Sequence, residues 1–116
     1  LWTGDYGSSD VAYRIDVNGK KLISIGYVRP AYTDNDLLAL GLAGALQQLK
    51  DEFAAHYEES AAQPMKFRYA MHNFTGGRPG LAKVFESFLE YVKGHRGVWF
   101  CRCIDIADFW AAHDGA

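Results

Sequence analysis

The period of apolar and polar positions changes several times along the chain, and each change marks an element. Residues 11–17 and 21–27 alternate with a period of two on either side of Asn18-Gly19. An Asn-Gly pair between two such runs predicts a β-hairpin, because both turn residues must take a positive φ. Val11, Tyr13, Ile15 and Val17 share one face of the first arm and Ile23, Ile25 and Tyr27 one face of the second, so the hairpin packs one side and shows the other to water. The period then lengthens. Leu42, Leu46, Leu49, Phe53 and Tyr57 form one apolar stripe of a long helix within residues 37–62, with Lys50, Glu52, His56, Glu58 and Glu59 on its solvent side. Gly41 and Gly44 weaken its first turns and move its start toward Gly44.

A two-residue period returns at residues 66–72, where Phe67, Tyr69 and Met71 alternate with Arg68, Ala70 and His72. This predicts a strand that carries His72 to its C-terminal end, followed by the loop Asn73-Phe74-Thr75-Gly76-Gly77. Arg78 precedes a proline and is pushed toward extended geometry, while Pro79 suits the first position of a helix. That helix places Leu81, Val84, Phe85, Phe88 and Val92 on one side and ends at Gly94 or Gly97. Residues 98–101 are continuously apolar, as a strand buried on both faces requires. Residues 105–113 read as a short helix with Ile106, Phe109 and Trp110 turned inward and Asp105 as its cap. Residues 1–10, polar and glycine-containing, read as a loop. The order is hairpin, helix, strand, helix, strand, helix. The class is α/β, and the last four elements form a β-α-β-α unit with a right-handed crossover.

At 116 residues the chain is a single segment, 1–116, that makes one domain or part of one and is too short for eight β/α units. Nearly half of it is apolar (49%), which builds a packed core. The net charge of −2 is spread without a basic block, and this argues against a nucleic-acid partner. No apolar run approaches a membrane span, and no signal peptide is legible. The first residue is Leu1, which implies a processed start or a piece of a longer chain. Cys101 and Cys103 lie two apart at the expected strand end, where a bridge would be strained. They read as buried, reduced thiols, in keeping with a cytoplasmic protein. As metal ligands they lack histidines at zinc-type spacing.

The chemistry centres on His72. At a strand end beside a glycine loop it suits a general acid or base, and it equally suits a packed ring that satisfies a backbone group. Gly76, Gly77 and Gly80 supply turn geometry, or N–H groups for an anion. Arg78 pairs with a substrate carboxylate or with a nearby acid. Asp34, Asn35 and Asp36 sit just before the long helix, as caps or as substrate contacts.

Residues 70–80 (AMHNFTGGRPG), with 88–93 (FLEYVK), 97–100 (GVWF) and 104–110 (IDIADFW), resemble the C-terminal part of the polysaccharide deacetylase family. The nearest likeness is to the branch of cofactor-independent allantoinases and peptidoglycan deacetylase-like proteins. The resemblance implies the C-terminal portion of a distorted β/α barrel and a hydrolase of non-peptide carbon–nitrogen bonds. In that family a metal held by an Asp and two His polarises an amide carbonyl, an N-terminal Asp activates water, and a late-strand His protonates the leaving amine. That last histidine matches His72. The resemblance further assigns Asn35, Asp36, Asn73 and Arg78 to substrate binding, and a small molecule or an N-acetylated sugar as substrate, in carbohydrate metabolism. The family's Thr-Phe-Asp-Asp-type and His-x-x-x-His-type motifs are absent from this sequence. The expectation is therefore a chain without a cofactor of its own, a divalent metal such as zinc belonging to the complete protein, and no activity in isolation. The alternative is a truncated, non-catalytic α/β module that self-associates through its open sheet.

Overall fold

A computed structural model of the chain describes residues 2–3, 11–26 and 33–113. Its elements are, in order, β1 (Trp2–Thr3), β2 (Tyr13–Val17), β3 (Lys20–Ser24), α1 (Asp34–Leu38), α2 (Gly41–Glu59), α3 (Pro79–Lys93) and α4 (Cys103–His113).

The hairpin forms as its turn dictates. Asn18 and Gly19 take φ values of 52° and 76°, and the Gly19 N–H donates to Asp16 Oδ1 at 3.0 Å. β3 lies in the middle of the sheet, antiparallel to β2 and parallel to β1. Trp2 and Thr3, expected in a loop, are thus an edge strand; a two-residue pairing is set by the neighbour and leaves no period in the sequence. Arg14 lies directly opposite Ile23, so the face of β2 that meets Ile23 and Ile25 carries Ala12 and Arg14, and not Tyr13, Ile15 and Val17 as the alternation suggests. Ala12, Ile23 and Ile25 pack against Ile106, Ala107 and Trp110 of α4, and Arg14 donates to the Ala111 carbonyl in the last turn of that helix. Tyr27 lies outside the described residues.

The long helical pattern divides at Gly41, whose φ of +73° separates α1 from α2. Along α2 the buried residues are Ala45, Leu49, Phe53 and His56, while Leu42 and Tyr57 of the expected stripe are exposed. The burial face is rotated about one residue, toward the side that shares a core with α3 and meets the Phe67 ring. His56, expected in solvent, is buried, donates from Nδ1 to the Glu52 carbonyl at 2.8 Å and meets the Phe67 ring edge-on. α3 follows the sequence reading closely. Arg78 is extended, Pro79 opens the helix, Leu81, Val84, Phe85, Phe88 and Val92 are buried, and Gly94 follows the last turn. These side chains and those of α2 make the larger core, with Leu37 from α1. Leu49 is completely buried there, and Leu49→Ala should lower the unfolding free energy by about 2–5 kcal/mol in a urea titration. A loss under about 1 kcal/mol would mean that this core is not closed.

The two expected inner strands are less regular. Residues 66–72 are extended, and their strand-type pairing among the described residues is one parallel bridge, Thr33 with Ala70. The segment is held by long side chains instead: Lys66 donates to the Gly26 carbonyl and Arg68 to the Ile25 carbonyl, with its guanidinium over the Trp2 ring. Residues 98–101 form no ladder among the described residues, and Trp99 and Phe100 are 59% and 54% exposed. Cys101 is exposed and Cys103 begins α4, so the pair is not buried at a strand end. An apolar run becomes a strand only when a neighbour satisfies its backbone groups. The radius of gyration, 15.1 Å, exceeds the roughly 13 Å of a compact chain of this length. This is an α/β arrangement of the kind a partial barrel leaves open.

Candidate active site

Thr33 is the N-cap of α1: its φ is −130°, and its hydroxyl oxygen accepts from the Asp36 N–H. The Thr33–Ala70 bridge, continued by a bond from the Asp34 N–H to the Ala70 carbonyl at 3.1 Å, lays this helix start along the end of the extended segment. Asp34 is thereby turned inward and has no exposed surface. Its carboxylate accepts three hydrogen bonds. Oδ1 takes His72 Nδ1 at 2.7 Å, and Oδ2 takes the His72 N–H at 2.6 Å and the Gly76 N–H at 2.7 Å.

Burial pushes the Asp34 carboxyl up, but the hydrogen bonds from the His72 ring and from the His72 and Gly76 amides outweigh it, so the pKa lies below the ordinary carboxylate value. An ionised carboxylate only accepts, so Nδ1 carries a proton and Nε2 is left to exchange one. The His72 side chain is 41% exposed while Asp34 is wholly covered. The carboxylate therefore orients the ring without competing for a ligand.

The loop after His72 is wrapped around this carboxylate. The Thr75 and Gly76 amides donate to the His72 carbonyl, and the Arg78 amide to that of Thr75. A Cβ on Gly76 would stand 2.8 Å from Asp34 Oδ2, and one on Gly77 only 2.4 Å from the Asn73 carbonyl oxygen. Both glycines are required by close approach. The Phe74 ring lies 5.2 Å from the His72 ring and is 69% exposed.

Of the residues singled out in the sequence, His72 stands at the end of its segment as expected. Asn35 and Asp36 are exposed on the first turn of α1, and the Asp36 carboxylate accepts from the Thr33 hydroxyl at 3.2 Å. Asn73 and Arg78 are exposed on the loop, so the Thr33–Ala70 bridge joins the two segments that carry all five. Asp34, which sequence reasoning grouped with the caps, is the residue that organises them. A signal was present: Thr33 stands three residues before Asp36 and takes the capping role, which leaves Asp34 without one.

Burial, then Glu52 and Asp36, push the Tyr69 phenol well above its ordinary value, so this neighbour of the site stays protonated. Among the described residues no group of three or more His, Cys, Asp or Glu is placed to hold a metal ion, so no step is routed through one here. Among the described residues, too, no helix is long and apolar enough to cross a membrane. A cavity of about 650 Å³ opens at the other end of the extended segment, among Met65, Lys66, Phe67, Trp99, Phe100 and Trp110, and His72 does not line it.

The described fold is shared with solved structures. It superimposes on Puue allantoinase with a TM-score of 0.87 and 30% identity, and on a probable polysaccharide deacetylase from Pseudomonas aeruginosa PAO1 with 0.84 and 27%. Each match covers 97% of this chain. The chain has a deacetylase-like fold. It spans 39% of the length of each of those two proteins, so the deacetylase-like portion here corresponds to a partial barrel. No protein-family model and no curated protein matches the sequence.

Proposed function

We propose that this deacetylase-like segment contributes the general acid of a hydrolase that cleaves non-peptide amide carbon–nitrogen bonds. The single observation behind this reading is the 2.7 Å bond between the buried Asp34 carboxylate and Nδ1 of the half-exposed His72 ring. In that pair the imidazolium offers its Nε2 proton to a leaving amine, and Asp34 stabilises the charge the ring carries before transfer. Water adds to the carbonyl carbon, the carbon–nitrogen bond breaks, and the nitrogen leaves with the proton from His72. Asn35, Asp36, Asn73 and Arg78, exposed around the ring, are the groups available to hold the substrate, a small cyclic amide or an N-acetylated sugar. The groups that would activate the water, with a divalent metal such as zinc where the chemistry uses one, belong to the remainder of the barrel.

The test is a barrel completed by grafting this segment onto the rest of the Pseudomonas deacetylase. His72→Ala in that protein should lower kcat by about 10²- to 10⁴-fold with an unchanged circular dichroism spectrum. Turnover within threefold of the parent would assign the ring to packing. The 116-residue chain by itself should hydrolyse neither an N-acetylated sugar nor a hydantoin above the buffer rate.

A second reading has its own observation, the exposure of Trp99 and Phe100 on a stretch without strand partners. A non-catalytic module would cover that stretch with a second copy of itself. Sedimentation of the isolated chain separates the readings: a tight dimer that Trp99→Ser dissociates favours the module, and a monomer excludes it.

A further inference from the structure

Beside His72, on the loop that binds Asp34, lies an open hollow of about 200 Å³. Leu38, Leu42, Phe74 and Leu81 give it apolar walls, and Thr75 and Arg78 supply its polar groups. Phe74 belongs to both places: its ring lines the hollow and lies tilted against the His72 imidazole, 5.2 Å between centroids. The hollow is built, because α3 starts in contact with α2; a Cβ on Gly80 would stand 2.9 Å from Leu42 Cδ1. At roughly 30 Å³ per water it holds the volume of about seven waters, room for a small acyl group and not for a run of sugar residues.

Arg78 is the one cation at this hollow, and among the described residues its side chain makes no ion pair or hydrogen bond. The contrast is with Arg102, which is fully engaged by Asp105. A guanidinium without a protein partner at the rim of an apolar hollow complements a carboxylate with a small apolar body, since its fork matches two carboxylate oxygens. Amide hydrolysis makes such a group. The acyl carbon leaves as a carboxylate while the nitrogen takes the proton from His72.

We propose that Arg78 and the Phe74-walled hollow form the acyl subsite, binding the small carboxylate generated from the cleaved amide. This rests on the hydrolase reading for the origin of the carboxylate, but the binding itself needs neither His72 nor the rest of the barrel. The direct test is a two-dimensional NMR titration of the 116-residue chain with acetate and with N-carbamoylglycinate, using acetamide and chloride at matched ionic strength as controls. Both carboxylates should move the Arg78 Nε–H and Thr75 amide signals saturably, and the controls should not. Arg78→Gln should weaken binding at least tenfold, Arg78→Lys less, and His72→Ala should leave it within twofold. No saturable shift, or equal titrations of the parent and Arg78→Gln, overturns the subsite. Carboxylate binding with normal turnover of His72→Ala in the grafted barrel would remove the general-acid role from His72 and leave the binding site standing.

Discussion

Asp34→Ala should be among the most damaging single substitutions in this chain, lowering stability by about 3–5 kcal/mol and leaving the His72 loop unfixed. The side chain has no exposed surface and accepts from three donors, two of them backbone amides that nothing else beside the carboxylate replaces. Hydrogen bonds to a charged group contribute about 1.5–3 kcal/mol each, and the orphaned donors would be left in a dry pocket. Urea unfolding of the two proteins at pH 7 measures the difference. A loss below about 1 kcal/mol would show that water replaces the carboxylate, and the site described here would then be loosely held.

Asp34→Asn asks a finer question. The amide fits the space, but its NH₂ meets Nδ1 where a lone pair stood, which turns the ring to the other tautomer and removes the counter-charge of the imidazolium. In the grafted barrel we expect turnover to fall by about 10²- to 10⁴-fold, as in other carboxylate–histidine pairs, with a smaller loss of stability than for alanine. The pH dependence has a definite sign. Because the folded-state pKa of Asp34 is depressed, its contribution to stability is fully present above the unfolded value of about 3.9 and is lost as the pH falls through the lower folded value. The stability gap between the parent and Asp34→Asn should therefore be widest near neutral pH and shrink progressively as the pH falls below the unfolded value of about 3.9. A constant gap would mean that the carboxyl is not ionised in the fold.

Gly77→Ala is the second large effect. The added methyl would lie 2.4 Å from a main-chain oxygen, so relief requires the loop itself to move and no side chain can turn aside. A cost of about 2–4 kcal/mol, or a fall in Tm on the order of 10 °C, is expected, and His72 should lose its fixed ring orientation in NMR spectra. Gly97→Ala supplies the contrast. That residue has open space around it but a φ of +78°, so only about 1 kcal/mol is at stake and the His72 signals should not change. Equal effects from the two substitutions would refute the steric account.

The elements that the sequence predicted well are those whose signal is local. The Asn18-Gly19 turn needs positive φ at both residues, and Pro79 with the apolar spacing after it specifies α3 whatever surrounds it. His72 could be placed at the end of an extended segment because the alternation stops there. Where burial depended on a partner element, the reading slipped. His56 is buried because Phe67 comes to it from another part of the chain, and the inward face of β2 follows from its register with β3.

By itself, the sequence determined the hairpin turn, the start of α3 and the place of His72 beside its glycine loop, since each depends on the conformational limits of a few adjacent residues. Only the tertiary structure decided that Asp34, 38 residues from His72, is the group that aims it. A carboxylate becomes an orienting group through distance, burial and the absence of competing water, and none of these is encoded in a run of neighbours. The same reason explains residues 98–101: their apolar composition was plain, and whether they became a strand rested on a neighbouring backbone.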